Sequence, residues 1–185
     1  VHSEVTRKLV ERVKRMKVGP GDCAGNDIGP LINIAAVEKV EKLVASARSA
    51  GAQVLLGGDR HEAGGLFFEP TILDNVSNDM EIARSEIFGP VATLIPFDSE
   101  AEVIALANDT PYGLAAYFYS RDIGRVWRVG EALEYGMVGI NQGIVSSAAA
   151  PFGGVKQSGL GREGSKYGLE DYLEIKYLCL GGIAE

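Results

Sequence analysis

The side chains able to do chemistry in this chain are few, and most fail a simple test of company. Cys23 lies in a loop beside Asp22 and Asp27, whose negative charges disfavour a thiolate nucleophile. Cys179 falls in an apolar terminal run, where packing is the expected role. The two cysteines show no Cys-x-x-Cys spacing, and with only His2 and His61 available they do not make up a zinc site. His2 stands at the start and His61 between Arg60 and Glu62, so both are expected at the solvated surface rather than in a Ser/His/Asp arrangement. Two stretches keep better company. Glu86-Ile87-Phe88-Gly89-Pro90 offers a carboxylate and an aromatic ring in a tight turn. It reads either as ordinary turn chemistry ahead of a strand or as a place where Glu86 accepts hydrogen bonds from sugar hydroxyls. Asn141 to Pro151 carries Asn141, Ser146 and Ser147 towards Phe152. It reads either as a surface loop or as ligand-facing donors beside an apolar wall.

The loop from Asn141 leads into Ala150–Tyr167, which holds five glycines, at 153, 154, 159, 161 and 164. Glycine at that density marks tight turns and close backbone approaches. Gly159, Gly161 and Gly164 spell a literal G-x-G-x-x-G, but a phosphate cradle needs a strand before it and a βαβ unit around it. Gly-Val-Lys-Gln-Ser precedes the match and the sequence stops soon after, so the motif is read as a coincidence of spacing.

The elements that must position these stretches follow from periodicity. Val5, Leu9, Val10, Val13 and Met16 predict a helix over 3–17, closed by Gly19-Pro20-Gly21. Val37, Val40, Leu43, Val44 and Ala47 predict a second over 34–50. Strands are predicted at 53–56, at 67–73 with Pro70 interrupting, at 91–97, 114–119 and 137–141, and at 172–180. Ser99 with Glu102, and Asp122, are predicted to cap intervening helices to Asn108 and about Glu134. This alternation predicts an α/β chain with crossovers and a parallel sheet. In open sheets of that kind ligands gather beyond the carboxyl ends of the strands, which is where Asn141 leaves the strand at 137–141.

The chain has 185 residues and a formal net charge of −7, with no Lys/Arg cluster, which argues against a nucleic-acid partner. No apolar run is long enough for a bilayer, and a reducing cytoplasm is the expected location. The sequence begins Val-His, so a processed or truncated start is expected.

Four segments taken together carry a resemblance: EIFGP at 86–90, NDTPYGLAAYFYSRD at 108–122, GMVGIN at 136–141 and PFGGVKQSGLGREG at 151–164. In that order they resemble the C-terminal part of the NAD(P)-dependent aldehyde dehydrogenase family. The tail GREGSKYGLEDYLEIKYLCLGG and the pair Ser146-Ser147 are most similar to its succinate-semialdehyde dehydrogenases. The resemblance implies an open, twisted, mostly parallel sheet flanked by helices. Residues 1–171 would be an incomplete catalytic domain, and 172–185 an oligomerisation strand and tail. It implies covalent catalysis on an aldehyde by a cysteine, with a glutamate-activated water releasing the acid and NAD or NADP taking the hydride. Glu86 would hold the nicotinamide ribose, with Phe88 beside the nicotinamide. Ser146 would meet a distal carboxylate of the substrate, and Phe152 would line the aldehyde tunnel.

One departure bears on all of this. The family's Gly-Gln-x-Cys nucleophile motif does not occur here, and neither Cys23 nor Cys179 aligns with it. The resemblance therefore places nucleophile, base and cofactor domain before Val1, leaves no catalytic residue in the chain, and implies that the chain alone is inactive. The partners implied are a small aldehyde, with no nucleic acid, membrane or metal, and further copies of the chain joined through the terminal strand. The alternative is a non-catalytic assembly module, in which that strand's unpaired edge is the functional surface.

Overall fold

The computed structural model describes residues 1–182, in two compact units that divide between Asp98 and Ser99. The first unit opens with α1 (His2–Val13), held on its surface by Lys8–Glu4 and Arg7–Glu11 ion pairs one turn apart. Asn33 starts α2 (Ile34–Ser49): its backbone is extended and its Oδ1 accepts the Ala36 N–H at 2.9 Å, satisfying a donor the helix leaves orphaned. Gly51, at φ +103°, turns the chain away after the helix. The stripe Val37, Val40, Leu43, Val44 and Ala47 is buried, and it packs with Phe68, Leu73, Val76 and Ile82 into the core of this unit.

Over that core lies a mixed sheet. β1 (Gln53–Leu56) pairs antiparallel with β2 (Thr71–Asp74), which pairs parallel with β3 (Val91–Thr93). Pro70 has no N–H to give a ladder, and β2 begins immediately after it. The predicted strand at 67–73 is thereby reduced to an Arg60–Phe68 bridge followed by β2. A one-turn helix, α3 (Glu81–Arg84), was not foreseen; it places Ile82 in the core. β3 covers only the first part of the predicted 91–97 run.

In the second unit Ser99 Oγ accepts the Glu102 N–H at 3.1 Å and starts α4 (Glu100–Asn108). β4 (Ala115–Phe118) and β5 (Met137–Ile140) pair parallel in register, Ala115 against Met137 through Phe118 against Ile140. The crossover between them is α5 (Ile123–Ala132), capped by Asp122 Oδ1 accepting the Arg125 N–H at 2.9 Å. Two 3-10 turns follow, Lys156–Ser158 and Tyr167–Tyr172.

The α/β class stands. Among the described residues the first unit carries a three-stranded sheet and the second a two-stranded parallel one. The terminal strand predicted at 172–180 does not form among the described residues: Tyr172 ends a 3-10 turn, and residues 173–182 run exposed without ladder partners. The last residues of the 172–185 segment, 183–185, lie outside the described residues.

Candidate active site

The turn 86–90 leads from α3 into β3, and three contacts brace it within the first unit. Lys39, on α2, donates from Nζ to the Glu86 carbonyl at 2.8 Å. Gly89 lies so close to Val40 that an added Cβ would stand 2.5 Å from Val40 Cγ2. Pro90 gives its carbonyl to the Thr71 N–H at 2.8 Å, joining the turn to the start of β2. Phe88 between them takes φ +48°, a conformation costly for an aromatic residue, and its side chain is 73% exposed. The Glu86 side chain is exposed as well, and no hydrogen bond engages its carboxylate among the described residues. The turn therefore presents an acceptor and a flat apolar ring outward from a fixed backbone.

The other candidate residues belong to the second unit. Asn141, just past β5, sits at φ +55°. Its side chain spends both ends on Ser120, with Oδ1 accepting the Ser120 N–H at 2.9 Å and Nδ2 donating to the Ser120 carbonyl at 2.8 Å. It locks the ends of β4 and β5 together, with one of its two Nδ2 hydrogens left over. Ser147 Oγ accepts the Ala149 N–H at 3.4 Å, a local turn contact. Ser146 is exposed, and no hydrogen bond engages its hydroxyl among the described residues.

Phe152 is half-buried and exchanges two backbone hydrogen bonds with Glu163, at 2.8 and 2.7 Å. Arg162 reinforces the pairing: its Nη1 donates to the carbonyls of Gly154 and Gly161, at 2.8 and 2.7 Å, and its backbone N–H donates to Asp171 Oδ2 at 2.9 Å. Gly161 is required there, since a Cβ would overlap the Asp171 carboxylate. The result is an open cleft of about 590 Å³ walled by Leu114, Phe152, Leu160, Arg162 and Tyr172. The literal G-x-G-x-x-G sits between two 3-10 turns with no strand ahead of it, so the structure does not make it a phosphate cradle.

Cys23 and Cys179 are both free and exposed; Cys179 is not packed as predicted, because its strand does not form. His2 Nε2 lies 2.9 Å from Asp74 Oδ1. His61 is half-buried, its Nδ1 accepting the Ala63 N–H at 3.2 Å, and so is less solvated than predicted. Among the described residues no three His, Cys, Asp or Glu side chains gather as a metal set would require, and no helix is long and apolar enough to cross a membrane.

Two residues that organise these loops escaped the sequence reading, Lys39 and Lys156. Lys156 Nζ donates to the carbonyls of Asn108 and Thr110, at 2.9 and 3.3 Å, and pairs with Glu134 Oε2 at 2.6 Å. Lysines on a helix face or in a polar loop look like solvated surface. The one signal available was the apolar flank of each, Val37 and Val40 around Lys39 and Val155 beside Lys156.

The chain is 58% identical over 181 residues to succinate-semialdehyde dehydrogenase [NADP(+)] of Escherichia coli (strain K12), covering 98% of this chain and 38% of that protein. It is likewise 58% identical over 183 residues to glutarate-semialdehyde dehydrogenase of Pseudomonas aeruginosa, covering 99% and 38%. A crystal structure of succinate-semialdehyde dehydrogenase from Burkholderia pseudomallei superposes with a TM-score of 0.94 at 60% identity, covering 97% of this chain and 37% of that one. The chain thus spans little more than a third of the length of the proteins it matches. With the family profile matching residues 1–178, the chain belongs to the aldehyde dehydrogenase family.

Proposed function

We propose that this chain is the C-terminal part of an NAD(P)-dependent dehydrogenase that oxidises a short semialdehyde acid, succinate semialdehyde to succinate. The observation that carries the cofactor half is the braced turn 86–90, with an exposed carboxylate and an exposed aromatic ring two residues apart. That pair fits a nicotinamide riboside: Glu86 accepts from the ribose hydroxyls and Phe88 lies against the nicotinamide. When bound, the nicotinamide supplies the hydride acceptor. NAD and NADP both fit the pair; the Escherichia coli relative is named for NADP(+).

Ser146 donates its hydroxyl to the distal carboxylate of the substrate, and Phe152 lines the aldehyde tunnel as an apolar wall. The substrate class is supported by relatives named for succinate and glutarate semialdehydes. In the family chemistry a cysteine thiolate adds to the aldehyde carbon, the resulting thiohemiacetal becomes a thioester, and water activated by a glutamate hydrolyses it. No residue of this chain takes the part of cysteine or glutamate, so the chain alone is inactive in this reading. Residues 172–180 become an oligomerisation strand by pairing with another copy, and the protein works in the cytoplasm.

The test is to assay the whole parent protein with succinate semialdehyde and with propionaldehyde, using each nicotinamide cofactor. A kcat/KM clearly higher for the acid is expected, and equal values would sink the substrate assignment. A second reading, a non-catalytic assembly module, is favoured only by the exposed, unpaired stretch 173–182. Saturable NAD(P)-dependent turnover by this 185-residue chain alone would exclude it.

A further inference from the structure

Lys156 lies four residues beyond Phe152 and takes φ +56°, a left-handed backbone that residues with a Cβ seldom adopt. Its ammonium has three N–H donors and meets three acceptors: the Asn108 carbonyl at 2.9 Å, the Thr110 carbonyl at 3.3 Å and Glu134 Oε2 at 2.6 Å. The backbone on either side of it is tied to the same neighbour. Val155 N–H donates to the Gly113 carbonyl at 3.0 Å, Gln157 N–H to the Pro111 carbonyl at 2.9 Å, and Ser158 Oγ accepts the Gly113 N–H at 2.9 Å.

The receiving turn is itself fixed. Asn108 Nδ2 donates to the Ala132 carbonyl at 2.8 Å, and its Oδ1 accepts the Glu134 N–H at 2.9 Å. Tyr135 donates its hydroxyl to the Ala107 carbonyl at 2.6 Å. One ammonium thus joins the turn after α4, the end of the α5 crossover and the loop that carries Phe152. Nearer to Phe152 the packing leaves no slack, since a Cβ on Gly136 would overlap the Gly153 carbonyl oxygen. The Lys156 side chain is only 26% exposed, so its contacts are partly shielded from competing water.

We propose that Lys156 is a positioning residue for the aldehyde site: its three-way contact sets the place of the loop 151–158 and, through it, of Phe152. This rests on Phe152 lining the aldehyde tunnel. A lost contact of this kind lets the loop relax away from Gly113, displacing the apolar wall without touching the reacting atoms. It acts on how well aldehyde is held, and leaves the chemical step to other residues.

The experiment uses the whole parent protein with Lys156→Met, which keeps the length of the side chain and removes its donors. Two readouts are taken: hydrogen exchange of the backbone amides at 151–158, and kcat and KM for the aldehyde turned over best. Exchange in that loop is expected to accelerate about tenfold while that of 34–49 holds, as for a locally opened segment. KM is expected to rise about tenfold with kcat within about threefold, the pattern of lost binding and orientation. Unchanged loop exchange overturns the proposal, and so does a loosened loop with unchanged KM. If the wild-type protein oxidises no aldehyde, it is the reading of Phe152 that has failed, and the exchange data alone decide whether Lys156 fixes the loop. Should Lys156→Met not fold, Glu134→Gln weakens the same contact, and about threefold changes in the same two readouts are expected.

Discussion

Gly89→Ala tests whether the turn 86–90 is held at a set height above α2. The glycine's backbone lies outside the left-handed region, so alanine is allowed by its own dihedrals. The obstacle is Val40. The new methyl carbon would start 2.5 Å from Val40 Cγ2, whereas carbon atoms settle at about 3.5 Å or more. Val40 is fully buried among α2's core contacts and has no room to turn away. The turn must therefore rise by about 1 Å, an overpacking that costs on the order of 1–3 kcal/mol. Rising by that amount would stretch the 2.8 Å contact from Lys39 to the Glu86 carbonyl beyond hydrogen-bonding range. Because that ammonium is exposed, the bond adds only about 1 kcal/mol.

Together these predict a loss of roughly 2–4 kcal/mol in unfolding free energy, read from urea transitions of the whole parent protein. They also predict a KM for NAD(P)+ raised about tenfold, since 1.4 kcal/mol of lost binding is a factor of ten. KM for the aldehyde should hold. Val40→Ala removes the obstructing carbon, so the double variant should be less damaged than the sum of the two singles, by about 1–2 kcal/mol of coupling. Strict additivity, or an unchanged cofactor KM in a Gly89→Ala protein shown to be destabilised, would refute the link between this packing and the cofactor.

Other outcomes follow from single contacts. Ser99→Ala removes the acceptor for the Glu102 N–H and should lower unfolding free energy by about 1 kcal/mol in urea titrations, with Ser99→Asp restoring it. Hydrogen bonds from Arg128 and then Arg125 hold the Glu100 carboxyl below its ordinary pKa. A depressed carboxyl stabilises the fold above its unfolded pKa and ceases to do so as pH falls through the folded value. Glu100→Gln should therefore lower the urea midpoint near neutral pH, converge with wild type in acid, and matter less in high salt. Ser146→Ala in the whole protein should cost about 1.5–3 kcal/mol in binding succinate semialdehyde, seen as a raised KM that propionaldehyde does not share. Equal effects on both aldehydes would make Ser146 an ordinary loop residue.

What could be read from the sequence divides by range. α2 is found within a residue of its predicted bounds because its evidence is local: an apolar stripe every three or four residues and Gly51 as stop. The caps Ser99 and Asp122 and the pair β4 and β5 were legible for the same reason. The sheets were not, because whether β3 pairs with β4 depends on residues far apart in sequence, and the alternation of strands and helices says nothing of that. The same holds at 172–180, where a strand-like pattern meets no neighbouring strand. In the candidate site, Glu86 and Phe88 were found through their motif, but their support was not. Lys39 reaches a carbonyl 47 residues away, and Lys156 one 48 away. That Asn141 is tied to Ser120 could not be read, because its partner is 21 residues distant.

The exposed stretch 173–182 has a consequence for how the protein survives digestion. Proteases take their substrates as extended segments laid along the active-site groove, adding a strand to the enzyme. Tyr172, Leu173, Tyr177 and Leu178 are all exposed there, on backbone that makes no ladder of its own. Chymotrypsin should therefore cut first in this tail, well before the turns braced by Lys39 and Lys156, and leave a trimmed body behind. A molecule laid along the tail would be registered as resistance to that first cut, so the segment carries a built-in footprint assay.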